Sequence, residues 1–212
     1  MACPFELTAD GHELQLAAGH LGHFVLTNRI LPKVLAAKSP RIVNVSSSGN
    51  KVEGIRWTDP QFTEPGSYQP FDAYGQVKTA NILFSVALNQ RYHKTKGLKA
   101  FALHPGSITT ELQKFLTPEL IATAVKKVYG DIPMNKLPPR KTLQQGCSTQ
   151  IRAAIDPTLE IGGDGNEGVF LTDCEQSSAE NTLAPRSVNA DDARRLWPWT
   201  EELVGEKFPI LE

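Results

Sequence analysis

The chain has 212 residues, 40% of them hydrophobic and 21% charged, with a formal net charge of -1. At roughly 150 residues per domain this is one domain, long enough to bury a core without staples, and the composition excludes a disordered acidic or basic tail protein. Lys plus Arg number 22 against 23 for Asp plus Glu, so no surplus of positive charge exists to condense onto a phosphate backbone, and no nucleic-acid partner is expected.

The opening residues MACPFELTADGHELQ lack a basic start followed by an apolar run, so no secretory signal is read there. The longest apolar stretches fall far short of the ~20 residues that cross a bilayer, so no transmembrane segment is expected. Cys3, Cys147 and Cys174, widely and unequally spaced, form neither a disulfide framework nor a CxxC zinc site. Cytoplasmic location is the expectation. Asn44-Val45-Ser46 matches a glycosylation triplet but lies inside an apolar run, which discounts it.

From Asp10 to Leu35 apolar side chains fall at helical spacing (Leu14, Leu21, Phe24, Val25, Leu31), and Pro32 predicts a kink or a second segment. Arg41 to Ser47 is a short β-branched run. Tyr74 to Tyr92 is the clearest predicted helix, with Val77, Ile82, Leu83, Val86 and Leu88 on its apolar side and Gly97 soon after. A second strand is predicted over Leu98 to His104, stopped by Pro105-Gly106. Leu112 to Arg140, with Pro118, Pro133, Pro138 and Pro139, reads as the loosest stretch, a substrate-covering loop or lid over residues 112–140. A helix over Lys141 to Ile155 ends before Asp156-Pro157. A third strand, Gly168 to Thr172, precedes a final helix over Asn189 to Val204 with an acidic start. Apolar runs without polar alternation suit strands covered on both faces, and the alternation of helix and strand is that of an open α/β sheet with a single domain over residues 1–212.

Tyr74-Gly75-Gln76-Val77-Lys78 puts a phenol and an ammonium one helical turn apart. A phenol titrating near 10 is a slow proton shuttle at neutrality, and a nearby cation lowers that value, so the pair is a candidate general acid and base for a carbonyl or alcohol. Tyr92 and Lys96 repeat the spacing and read as a surface contact at the frayed end of the same helix. Ser47 stands at the carboxyl end of the first strand, where ligands collect in parallel sheets and a hydroxyl can meet a substrate oxygen. The second strand ends in His104-Pro105-Gly106-Ser107-Ile108-Thr109-Thr110, where Gly106 admits close backbone approach to a flat ligand.

Other strings are weaker. Gly163-Asp164-Gly165-Asn166-Glu167-Gly168 matches G-x-G-x-x-G but follows a helix and precedes a strand, the reverse of a nucleotide turn, and reads as a plain loop. His20 and His23 read as packing residues rather than a metal pair. Cys147 and Cys174 read as small buried residues, and Trp197 with Trp199 as a hydrophobic clasp for the last helix.

RIVNVSSSGN, YGQVK and HPGSITTEL, with HLGHF before them and GVFLTDC after, resemble the short-chain dehydrogenase/reductase family, in particular its retinol-dehydrogenase-like and WW-domain-oxidoreductase-like branch. The resemblance covers almost the whole chain. It implies the C-terminal part of a doubly wound Rossmann-type parallel sheet, about three strands with flanking helices, and hydride transfer between NADP or NAD and a carbonyl or alcohol. Leu112, Phe115, Leu116 and Ile121 suggest an apolar lid, so the expected substrate is small and apolar, of the kind met in secondary metabolism. Residue by residue, the resemblance implies that Tyr74 exchanges the proton, that Lys78 lowers the tyrosine pKa and holds the nicotinamide ribose, and that Ser47 orients the carbonyl. It likewise implies that Pro105, Gly106, Ile108 and Thr110 contact the nicotinamide side of the cofactor. The family's opening strand, Gly-rich turn and helix, which hold the pyrophosphate, have no counterpart here, so the cofactor site reads as incomplete. Gly19 stands where the family's NHLGHF carries an asparagine that holds a relay water, and glycine supplies no amide. Two functions therefore stay open: an oxidoreductase, or an inactive remnant that binds as a homodimer or as a heterodimer with a full-length relative through the helices around 10–35 and 74–92.

Overall fold

The three apolar runs lie side by side. In the computed structural model, which describes residues 1–176 and 182–211, β1 (Arg41–Val45), β2 (Lys99–His104) and β3 (Phe170–Thr172) pair in parallel, with Val45 opposite Leu103 and His104 opposite Thr172. A short β4 (Glu175–Gln176), which the sequence did not suggest, turns back antiparallel to β3 and completes the order β1-β2-β3-β4. The middle of β2 is buried throughout, as its unalternating apolar sequence requires. β1, at the sheet's outer edge, is only half-buried.

Side chains alternate across the faces of a strand, and β1 shows what covers each face. Arg41 donates to the carbonyls of Ala153 and Asp156 at the end of α5 (Leu143–Ile155), while Asn44 donates to Ser85 of α3 (Pro70–Lys96). Positions 41 and 44 point to opposite faces, so α5 and α3 sandwich the sheet. The helix-covered, mostly parallel sheet is the partial Rossmann-type α/β architecture expected.

The first helix begins at Leu14, not Asp10, because Glu13 caps it by accepting from the backbone N–H of Gln15 and Leu16. It runs as α1 (Leu14–Leu16), a π-helical turn (Ala17–Leu21) and α2 (Gly22–Leu35). Pro32 does not divide it: the proline sits in the final turn of α2, which ends three residues later at Leu35, and the irregularity falls instead at the π-turn. α3 extends one turn beyond prediction at each end, from Pro70 at its start to Gly97, whose φ of +67° closes it. Tyr92 is therefore not at a frayed end. It is fully buried, and its hydroxyl accepts from the backbone N–H of Leu211.

The stretch expected to be loose holds a helix, α4 (Pro118–Tyr129), capped by Thr117 with Pro118 in its first turn, so that proline marks a helix start rather than a loop. Gly163 to Gly168 is the loop expected before β3. Cys147 is exposed and Cys174 half-exposed, contrary to the burial expected of both; Cys147 lies on α5, with its thiol donating to the Gln144 carbonyl. α6 (Ala190–Val204) brings Trp197 into the core against Phe24 and Phe84, and Trp199 edge-on to Trp57. His20 is buried beside Phe84, with Nε2 2.9 Å from Thr200 Oγ1. None of the described helices is long and apolar enough to cross a membrane.

Candidate active site

β1 and β2 end at the same rim, and the chain leaving each one contributes to a cleft of about 470 Å³. After β1 the backbone passes Ser47 into a single 3-10 turn, Ser48–Lys51, with Ser47 Oγ accepting from Gly49 N at 3.1 Å. Asn50 fixes this turn from behind. Wholly buried, its amide donates to the carbonyls of Ser47 and Thr182, while Oδ1 accepts from Ala184 N and Ser187 Oγ. Every polar atom of that side chain is satisfied, which makes the turn rigid.

α3 passes in front of this turn and supplies Tyr74 and Lys78 one helical turn apart. Two glycines allow the approach. A side chain at residue 49 would meet the Tyr74 ring at 2.9 Å, and one at residue 75 would meet the backbone N of Glu53 at 2.8 Å. The structure thus brings Ser47, Tyr74 and Lys78 together, and Pro105, Gly106, Ile108 and Thr110 line the same cleft from the β2 side. Apolar Phe71, Ala124, Val125 and Val128 form the facing wall, three of them from α4. α4 is tied to the start of α3 by an ion pair between Lys127 and Asp72.

The electrostatics differ from expectation in one respect. Burial holds the Tyr74 phenol above its ordinary value of 10, and hydrogen bonding with Ser47 pulls the other way. Lys78 is not what lowers it. The ammonium lies 5.4 Å from the centre of the tyrosine ring and donates to the Val45 carbonyl at 2.9 Å, and burial brings its own pKa down to about 8. A lysine poised near neutrality can both hold a hydroxyl by hydrogen bonds and pass a proton.

The π-turn explains Gly19. A side chain there would meet Val77 Cγ1 at 2.5 Å, so the valine between Tyr74 and Lys78 fills the space that an asparagine would occupy. Sequence reasoning passed over His104, although it adjoins the Pro105-Gly106 signal. Its ring lines the cleft, Nδ1 is buried without a hydrogen-bond partner, and its pKa is brought to about 4, chiefly by burial and then by Lys141 with Asp173 opposing. The imidazole is neutral at physiological pH. Sequence reasoning also missed Lys141, which carries no motif. Its side chain fills the space that a side chain at residue 106 would occupy.

A parallel α/β sheet with a serine at one strand end, a Tyr-x-x-x-Lys helix across it and a Pro-Gly turn at the next strand end defines a class, and the chain is a homologue of the short-chain dehydrogenases/reductases. Its likeness is to retinol-dehydrogenase-like members. It is 34% identical to the short-chain dehydrogenase/reductase prx1 of Penicillium roqueforti, over 97% of this chain and 60% of that protein. It is 32% identical to human retinol dehydrogenase 12 over 98% of this chain and 59% of the relative, and 34% identical to human retinol dehydrogenase 14 over 96% and 55%. A crystal structure of an uncharacterized protein from Mycobacterium paratuberculosis superposes with a TM-score of 0.60 at 29% identity, covering 99% of this chain and 65% of that one. No family model matches the chain. The chain spans about 60% of the length of the curated relatives it matches.

Proposed function

We propose that the protein is an NAD(P)-dependent oxidoreductase that interconverts a carbonyl and an alcohol on a small, apolar substrate. The observation that carries this is the convergence of Ser47, Tyr74 and Lys78 on one cleft with the Pro105–Thr110 turn. The residues present fit the nicotinamide-ribose end of a dinucleotide. Lys78 keeps N–H groups beyond the one given to Val45 and can hold ribose hydroxyls, and the apolar side of Ile108 with the Pro105-Gly106 backbone suits a flat ring. When bound, the dinucleotide supplies or accepts the hydride.

The chain's own groups manage the proton and the orientation. Ser47 Oγ donates to the substrate oxygen and fixes its lone pairs toward Tyr74. The Tyr74 hydroxyl gives its proton to that oxygen in reduction and takes it back in oxidation. Burial, which raises its pKa, keeps it protonated, which suits the reductive direction. Lys78, near neutrality in its proton affinity, restores the tyrosine's proton. α4, over the cleft and latched through Lys127 to Asp72, excludes water as the substrate-covering element. Leu26 and Ile30, exposed one turn apart on α2, support pairing of two copies across that helix.

Tyr74→Phe keeps the ring and removes the proton path. Turnover of a ketone with NADPH, followed by nicotinamide absorbance, is expected to fall at least about 100-fold. Unchanged turnover in that variant would remove Tyr74 from the mechanism. Fluorescence titration of the unmodified protein with NADPH and NADH tests the cofactor directly.

A further inference from the structure

The Pro105–Ile108 turn has the cleft on one side, and on the other a support that no motif announces. Lys141 stands in register with Ile108 as a parallel β-bridge, and its backbone N donates to the Ser107 carbonyl at 2.8 Å. Its side chain then runs across Gly106. A side chain at residue 106 would meet Lys141 Cδ at 2.5 Å and Cε at 2.7 Å, so the lysine stem occupies the volume that the glycine leaves free. Gly106 has φ +91°, a conformation that side-chain-bearing residues rarely adopt and glycine enters and leaves freely, so the residue itself does not fix the turn.

The far end of Lys141 is held as well. Its ammonium pairs with the Asp173 carboxylate. Asp173 (φ +49°) and Cys174 (φ +67°) are consecutive non-glycine residues in the left-handed region, at the tight turn between β3 and β4. Side chains of α5 hold that turn: Thr149 Oγ1 accepts from Cys174 N at 3.1 Å, and Arg152 donates to the Cys174 carbonyl. A continuous line of contacts therefore runs from α5 through the β3–β4 turn and Lys141 to the backbone at Gly106. Asp173 is largely exposed, so the ion pair adds little to global stability. What it supplies is placement.

We propose that Lys141 is a positioning residue, anchored by Asp173, that holds the Pro105–Ile108 turn in the geometry needed to receive the nicotinamide side of a dinucleotide. This rests on the reading of the cleft given above. Neither residue touches the cleft itself. They act through the backbone of residues that do.

The test compares Lys141→Ala, which removes stem and charge, with Lys141→Met, which keeps most of the stem, and Asp173→Asn, which removes the anchor. Amide hydrogen exchange at residues 106–110 is expected to quicken about tenfold in Lys141→Ala, less in the other two, with α3 and β1 unchanged. Affinity for reduced nicotinamide mononucleotide, which carries only the nicotinamide-ribose end, is expected to fall about tenfold in Lys141→Ala and less in Lys141→Met. Unchanged exchange at 106–110 in Lys141→Ala overturns the proposal, as does unchanged affinity for the reduced mononucleotide in that variant. Failure of the unmodified protein to bind NADPH overturns the cofactor reading instead, and the exchange comparison still decides whether Lys141 braces the turn.

Discussion

Burial draws the Lys78 ammonium down to about 8 from an ordinary 10.5, and a single hydrogen bond to the Val45 carbonyl offsets only part of the lost hydration. Below pH 8 the lysine is charged in folded and unfolded chains alike, and its destabilising effect is fully present. Between about 8 and 10.5 the folded chain releases the proton first, the unfolded chain binds more protons, and stability rises with pH. Lys78→Met is therefore expected to melt at a higher temperature than the parent near neutral pH, with the gain shrinking as pH approaches 10.5. Thermal denaturation of both proteins across that range measures it; a gain that grows with pH would contradict the burial argument. A residue kept against stability is one kept for another purpose.

Between elements, the contact that sets the height of α3 against the first helix is Val77 in the hollow over Gly19. Gly19→Asn overfills that hollow and is expected to destabilise by about 1–3 kcal/mol. Adding Val77→Ala should recover much of the loss, so that the double variant is more stable than the Asn single, as read by urea unfolding. Additive losses would show that the two positions do not share one space. The elements also show what the sequence made legible. β1 to β3 were readable because doubly covered strands need unbroken apolar runs, and the Tyr74–Lys78 ridge because helical spacing puts the two on one face. α4 was hidden because Pro118 resembles a loop residue until Thr117 is seen to cap it. The π-turn leaves no periodicity of its own, and β4 is too short for any. Lys141 and Asp173 lie 32 positions apart, and only the folded chain joins them.

Across the whole molecule, the core is closed by its last helix. Trp197 packs edge-on to Phe24 with ring centroids 5.0 Å apart, touches Phe84, carries the Arg91 guanidinium 4.1 Å above its face and donates from its indole N–H to Glu201. Trp197→Ala is expected to cost about 3–5 kcal/mol. Fluorescence and circular dichroism should then lose α6 and the first helix in one transition during denaturant unfolding; two separate transitions would show that they fold independently. Further ties join the same regions: Phe24 to Phe208, Arg29 to Glu206, and His20 to Thr200 across 180 residues of chain. These ties have a consequence for biosynthesis. The first helix leaves the ribosome well ahead of α6 and keeps its aromatic face uncovered until α6 and Phe208 have been made. The nascent chain must therefore be shielded or stay unfolded over that interval, and this part of the core packs only after α6 has been synthesised.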